Sequence, residues 1–415
     1  MRALVISDTH FGAWTGEDIL REPQNLALLE PHLDVDEVIF IGDMFDFLFG
    51  SARDALMAAQ GLFGLLRERL QGKRFVFLAG NHDHHLVTRQ AEELFERALA
   101  EGRRTEHLQA LAQAGSFQQF LERELDGVEV DIRYPTYMFG GVLCTHGHYL
   151  DFYARRSGAA PGKLLARALW LVAVGGSEHE PTVEDLEATT RMLTGLLFTI
   201  AQLPNGTRAQ RRTLAGFQAL ENALRLGTAP LRGLEHAGAR LASRLRALGS
   251  GDSVPLADAR LDSVEPQMAA YRRARLKEGE RRRRTGAPAG GEVAKYALGQ
   301  VVRPRDPLGP SVEAFEKVVM RFGWARDTDK IVFAHTHRPL EDVTGPSGSV
   351  RYWNTGSWIY EPDLTSRQAY AQYLQRAWPG TAVLIDTDEP HPRLLRLREH
   401  LNPLHQAGFG DGAKG

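Results

Sequence analysis

Five short clusters bring chemically capable side chains close together in this 415-residue chain: Asp8-Thr9-His10, Gly42-Asp43-Met44-Phe45-Asp46, Gly80-Asn81-His82-Asp83, His146-Gly147-His148 and His335-Thr336-His337. Carboxylates, an amide oxygen and imidazoles are hard-to-borderline donors, suited to Mn, Fe or Zn. None of the clusters contains a thiol, which argues against a structural zinc site of the cysteine type. Asp8, His10, Asp43, Asn81, His146, His335 and His337 number seven, too many for one ion, and a carboxylate can bridge two. Paired ions about 3.5–4 Å apart can share a hydroxide and clamp an in-line displacement at phosphorus.

Each cluster follows a short apolar run, at 3–7, 37–41, 74–78, 142–145 and 330–333, and a sixth run at 350–353 leads into Asn354-Thr355-Gly356-Ser357. Nearly continuous apolar runs suit strands buried on both faces, as in a sheet covered by helices. Segments 24–33 and 53–70 read as helices, and the alternation predicts an α/β sandwich. Polar groups just past the C-terminal ends of strands lie where α/β sheets place their ligands. Gly42 and Gly80 stand where the chain turns off a strand, and glycine takes backbone angles closed to other residues.

In this order, Asp-x-His, Gly-Asp-x-x-Asp, Gly-Asn-His-Asp, His-Gly-His and His-x-His resemble the motifs of the calcineurin-like metallophosphoesterase superfamily, over residues 1–150 and about 325–360. The resemblance implies a four-layer αββα sandwich, here with a large helical insertion. It also implies a phosphoesterase in which a hydroxide bridging two divalent ions attacks phosphorus in line, with manganese the first expectation and iron or zinc the alternatives. Carried over by position, Asp8, His10 and His337 would hold one ion and Asn81, His146 and His335 the other, with Asp43 between them. His82 would bind the phosphate and protonate the leaving oxygen, a task suited to imidazole, and Asp83 would orient it. The superfamily's last motif is Gly-His-x-His. Ala334 stands at the glycine here, adding a methyl group but removing no ligand, so activity is expected to survive.

Texture divides the rest of the chain. Residues 1–150 and 312–395 carry the strand pattern, whereas 151–311 are rich in Ala, Leu and Arg. This middle region holds about 25 Lys and Arg against about 15 Asp and Glu, roughly +10 within a chain of net charge -2. Leu214, Phe217, Leu220 and Leu224, then Leu231, Leu234, Leu241 and Leu245, recur at helical spacing. Thr182 with Asp185 resembles a capping box. The arginines at 281–284 before a Gly- and Pro-rich stretch read as a basic loop. The expectation is a basic helical cap, followed by a flexible tail over 396–415. Solvated helix faces account for most of its charge; attraction of an anionic substrate, of lipid headgroups or of nucleic acid are the alternatives.

A single cysteine, Cys144, rules out an intrachain disulfide and fits a reducing compartment. The N-terminal residues lack a signal-peptide pattern, and the most apolar stretches, 164–174 and 192–203, are too short to span a bilayer. The expected location is cytoplasmic, with contact at a membrane surface as an option. Several residues carry two readings. His84 and His85 are expected to be exposed loop histidines rather than substrate contacts. His148 can face phosphate or cap a turn, and Asp46 can support a ligand by hydrogen bonding. Phe45, Phe47, Leu48 and Phe49, like Trp353 and Trp358, read as packing residues, and Cys144 as an inert core residue.

For substrate, Gly42-Asp43-Met44-Phe45-Asp46-Phe47 resembles the subgroup that cleaves the pyrophosphate of UDP-2,3-diacylglucosamine. That subgroup commonly has Arg where this chain has His82, and shorter caps. A phosphate ester is therefore the expected partner class, with an anionic lipid-linked or nucleotide one as an option, and the bond cleaved is a phosphodiester, a phosphomonoester or a pyrophosphate. The Val-Asp-Arg-Gly continuation of the serine/threonine protein phosphatases is missing, and no further motif supports a DNA-processing nuclease. The rivals to an enzyme are a scaffold that has kept the fold without catalysis and a membrane-surface binding module. Every ligand position being filled speaks against the first.

Overall fold

The computed structural model describes residues 1–13, 17–48, 50–87, 116–153, 309–362 and 367–404, together with 186, 187, 190, 194, 195 and 198. The leucine period at 214–245, the Thr182 capping box, Phe49 and the arginines at 281–284 lie outside the described residues.

Eleven strands among the described residues form two sheets. The first contains β1 (Arg2–Ile6), β2 (Glu37–Ile41), β3 (Arg74–Leu78), β4 (Glu129–Arg133), β10 (Thr381–Asp386) and β11 (Arg393–Arg396), in the order β11-β10-β1-β2-β3-β4. Strands β1 to β4 are parallel; β10 runs antiparallel to β1, and β11 to β10. The second sheet, ordered β5-β6-β7-β9-β8, contains β5 (Thr136–Phe139), β6 (Val142–Thr145), β7 (Lys330–Phe333), β8 (Leu340–Thr344) and β9 (Arg351–Asn354). Its central strands β6, β7 and β9 are parallel. Leu143 in β6 pairs with Ile331 in β7, so the strand before the basic region lies directly against the strand after it.

Side-chain alternation explains why these strands read as uninterrupted apolar runs. Ala3 and Val5, Ile39 and Ile41, and Val76 and Leu78 pack in one cluster with Cys144, Val332, Ala334 and Trp353 of the second sheet. Their neighbours Leu4 and Ile6, Val38 and Phe40, and Phe75 and Phe77 point the other way, into a larger cluster that includes helical residues. Both faces of each strand are therefore buried, the condition under which the period of two disappears from the hydropathy pattern. The result is the expected α/β sandwich, with helices against the outer faces.

The helices α1 (Pro23–Leu29), α2 (Ala52–Ala58), α3 (Gln60–Arg69), α4 (Ser116–Glu124), α5 (Leu150–Tyr153), α6 (Gly309–Phe322) and α7 (Arg367–Arg376) complete the described elements. Expected helix 24–33 stops early as an α-helix and continues as a 3-10 turn over Glu30–His32. Pro31 has no N–H to donate into an α-helical ladder. Expected helix 53–70 is two helices joined at Ala59, the first capped by the Ser51 side chain, which accepts from the Asp54 N–H at 3.1 Å. The chain remains packed beyond the 396 boundary expected for a tail: Asn402 is buried and donates to the Leu374 carbonyl at 2.9 Å.

Candidate metal centre

Strands β1, β2, β3, β6 and β7 each end in one of the five clusters, and hydrogen bonds between loops extend the sheets past those ends. The Asp8 N–H donates to the Gly42 carbonyl (3.1 Å), the His10 N–H to Asp43 (3.0 Å) and the Ala334 N–H to His146 (3.1 Å). The backbone turns sharply where the chemistry begins. Asp8, His10, Asp43, His335 and His337 all have φ between 45° and 67°. Asp342 is the one other non-glycine residue with positive φ among the described residues. Each such residue costs about 1–3 kcal/mol, and surrounding structure must impose it. Five of the seven candidate ligands therefore sit on strained backbone.

The two glycines work in different ways. Gly42 has φ 91°, and a Cβ there would stand 2.5 Å from the His146 ring. Gly80 is not in the left-handed region; a Cβ there would run into the Asp43 carboxylate. Close approach, rather than the backbone angle expected from the sequence, explains Gly80. Ala334 has no positive φ and its methyl group is fully buried, with the backbone strain falling on His335 instead. Its position makes no demand for glycine.

The clusters converge on two groups of donors. In the first, Asp8 Oδ1 lies 3.2 Å from His337 Nε2 and 3.9 Å from His10 Nε2, and the two imidazole nitrogens are 3.2 Å apart. In the second, His146 Nε2 lies 3.2 Å from Asp43 Oδ2 and 3.1 Å from Asn81 Oδ1. His335 joins Asp43 and His146 in the same group. Asp43 Oδ2 also lies 3.8 Å from His10 Nε2, so one carboxylate oxygen faces both groups.

Electrostatics match this picture. Burial pushes the Asp8 and Asp43 carboxyls up, but His10 and His337 beside Asp8, and His146 beside Asp43, hold both below the usual range. Burial pushes His146 and His337 down, but Asp43 and Asp8 respectively raise each to about 9. These are buried carboxylates held among competing cations.

The donors fit divalent metal. Oxygen and nitrogen ligands about 2.0–2.2 Å from a common ion stand about 3–4 Å from each other. Asp8 Oδ1 is buried and faced by imidazole nitrogens alone among the described residues. A third group, His10, Asp46 and His82, meets through Asp46: its Oδ1 lies 3.0 Å from His82 Nδ1 and its Oδ2 3.8 Å from His10 Nδ1.

That last contact corrects one expectation. Asp46, not Asp83, holds the His82 ring. The Asp83 carboxylate is buried and accepts backbone N–H groups of Gly80 (2.7 Å) and Met44 (2.8 Å), joining the loops after β2 and β3. Burial, and then the Asp43 charge, raise its pKa to about 6.

His84 is the second correction. It is buried, not exposed, with Nε2 2.8 Å from Glu187 Oε2. Tyr134 and Tyr149 donate hydroxyls to the same carboxylate and lie 2.7 Å apart. His85 is exposed and stacks on Phe198 at 3.9 Å. His148 is buried with no partner on either ring nitrogen among the described residues, so it caps no turn through its ring. Phe45, Phe47, Leu48, Trp353 and Trp358 are core residues as expected, and burial pushes the Cys144 thiol up. Asn354 ties down the last histidine motif, donating to the Ala334 carbonyl at 2.9 Å. Asp46 as partner of His82, Glu187, Asp151 and Glu361 were not picked out from the sequence, since none of these contacts lies within a motif.

Two sheets whose parallel strands deliver Asp, Asn and His to one place define a metallohydrolase. Residues 1–188 match the family model for calcineurin-like phosphoesterases, a family of metal-dependent phosphoester hydrolases, so the matched part of the chain has the character of that family. His335 and His337 lie beyond the matched residues and reach the site through β7. No curated protein matches the chain.

Proposed function

We propose that this phosphoesterase is dinuclear, with Asp8, His10 and His337 holding one ion, Asn81, His146 and His335 the second, and Asp43 shared. The observation that carries the reading is Asp43 Oδ2, which faces His146 Nε2 at 3.2 Å and His10 Nε2 at 3.8 Å. Divalent ions bound there, manganese first among them, would supply Lewis-acid charge and a water acidic enough to act as nucleophile near neutral pH.

The chain's own residues do the rest. Asp43 Oδ1 accepts the His82 backbone N–H at 2.7 Å, which fixes His82 relative to the shared carboxylate. His82 donates Nδ1–H to Asp46, so its Nε2 is the atom that delivers a proton to the leaving oxygen. Asp83 holds the two loops that present Asp43 and His82 in register.

The substrate class is a phosphate ester, and an anionic lipid-linked or nucleotide ester is the finer reading. It is supported by the likeness of the Gly42–Phe47 motif to the UDP-2,3-diacylglucosamine pyrophosphatase subgroup and not by a contact of the buried Phe45 or Phe47. Residues 1–150 and 312–395 would form the catalytic core and 151–311 an inserted cap; the β6–β7 pairing supports that division. No helix among the described residues is long and apolar enough to cross a membrane. The test is Asp43→Asn, assayed with Mn²⁺ against bis-p-nitrophenyl phosphate, p-nitrophenyl phosphate and a UDP-lipid, with bound metal counted. The expected result is loss of turnover by more than about 100-fold, beyond what an outer partner of a metal ligand contributes. Normal turnover by this variant overturns the assignment.

A further inference from the structure

Each of three site histidines turns one nitrogen toward the donor groups and the other toward an outer acceptor. His146 directs Nε2 to Asp43 and Asn81, and donates Nδ1–H to the Ile41 carbonyl at 2.8 Å. His10 directs Nε2 to Asp8 and Asp43, and Nδ1 to Asp46 at 3.8 Å. His337 directs Nε2 to Asp8, and Nδ1 to Glu361 at 3.7 Å. Outer acceptors of this kind fix which nitrogen carries the proton and which is free to bind metal.

The fourth histidine, His335, has a carboxylate at one nitrogen as well: Asp151 Oδ1 lies 3.0 Å from its Nε2. Both side chains are largely shielded, with 10% and 21% of their surface accessible. We propose that Asp151 is a positioning residue for the second ion site, holding His335 by Nε2 so that Nδ1 serves as its donor atom. This rests on the two-ion reading above. Asp151 lies in α5, just past the His146 motif and at the start of the basic region, outside all five clusters. Helix α5 packs against α6, which begins where that region ends, so the carboxylate is set by elements at both edges of the region. One ion site would thereby depend on how the region joins the core.

The test is calorimetric titration of the full-length apoprotein with Mn²⁺, comparing wild type, Asp151→Asn, Asp151→Ala and Glu361→Gln. Wild type should bind two equivalents. Asp151→Ala should weaken one of them by about 10–100-fold while still filling it at higher Mn²⁺, and Asp151→Asn, which keeps an acceptor oxygen, should lose less. Glu361→Gln, at a longer distance and a more exposed position, should have the smaller effect. Unfolding of the metal-free variants by heat should match wild type, which a merely structural ion pair would not allow. A wild type binding fewer than two equivalents overturns the two-ion reading and this one with it. Two equivalents in wild type and identical binding by Asp151→Ala overturn this one alone. So does a second site in Asp151→Ala that never fills, because Asp151 would then itself be a ligand.

Discussion

Catalysis by this site turns on small differences among side chains of the same type. The proposed centre gives four imidazoles to metal; His82 shares the Asp46 carboxylate with one of them, His10, and is set apart by its backbone N–H, which Asp43 accepts. The prediction is that His82→Asn lowers kcat by about 10²–10⁴-fold, the usual share of a general acid, while bound metal stays at the wild-type level. Stopped-flow turnover alongside metal analysis separates the two. A variant that loses metal as well as rate would show that His82 is a ligand. The candidate ligands stand out in the sequence because Asp, Asn and His recur in short clusters after apolar runs. Asp46 as the partner of His82 does not, because the resemblance carried that role to Asp83. The fold instead spends the Asp83 carboxylate on backbone N–H groups. Nothing in a sequence reports which of two nearby carboxylates turns toward a ring.

Elements matter here through the way strands end. The apolar runs for β2, β3, β6 and β7 were legible to the residue, because both faces of these strands are buried. Strand β4, Glu-Val-Asp-Ile-Arg at an edge of its sheet, was not, since only Ile132 is buried and its charges mimic a loop. Beyond the strand ends, the loops are packed so closely that glycine is required by contact. Gly80→Ala makes this testable. The added methyl group has to displace the Asp43 carboxylate, which also faces both donor groups. Overpacking of this kind costs about 1–3 kcal/mol. The expected outcome is a folded protein, less stable by that amount in urea titration, with Mn²⁺ binding weakened at both sites. By contrast, Ala334→Gly should leave metal binding unchanged, since the backbone there does not need glycine. Weakened binding in Ala334→Gly would show that the methyl group itself supports His335.

At the scale of the whole molecule, one buried carboxylate joins the basic region to the core. Glu187 accepts from His84, two residues past His82, and from Tyr134 and Tyr149, which flank the His146 motif. Burial raises the Glu187 pKa, but the charge of His84 outweighs it and brings the group down to about 2 from 4.5. A carboxyl whose folded pKa lies below its unfolded value contributes stability in full above the unfolded value. That contribution is lost as pH falls through the folded one. Glu187→Gln should therefore destabilise the protein most at neutral pH, by about 3–5 kcal/mol if the pair behaves as a broken buried ion pair. The gap to wild type should hold down to about pH 4.5 and close progressively toward pH 2. Urea denaturation of both proteins across that range reads the difference, and the metal ligands, titrating alike in each, drop out of it. A gap that stays constant with pH would mean that Glu187 acts through packing and neutral hydrogen bonds, not charge. A gap that closes as predicted makes the neighbourhood of His82 electrostatically dependent on a residue contributed by the basic region. No sequence pattern marks this contact, since Glu187 is one of three acids with Glu184 and Asp185 in a single short run and its partners lie 38 to 103 residues away.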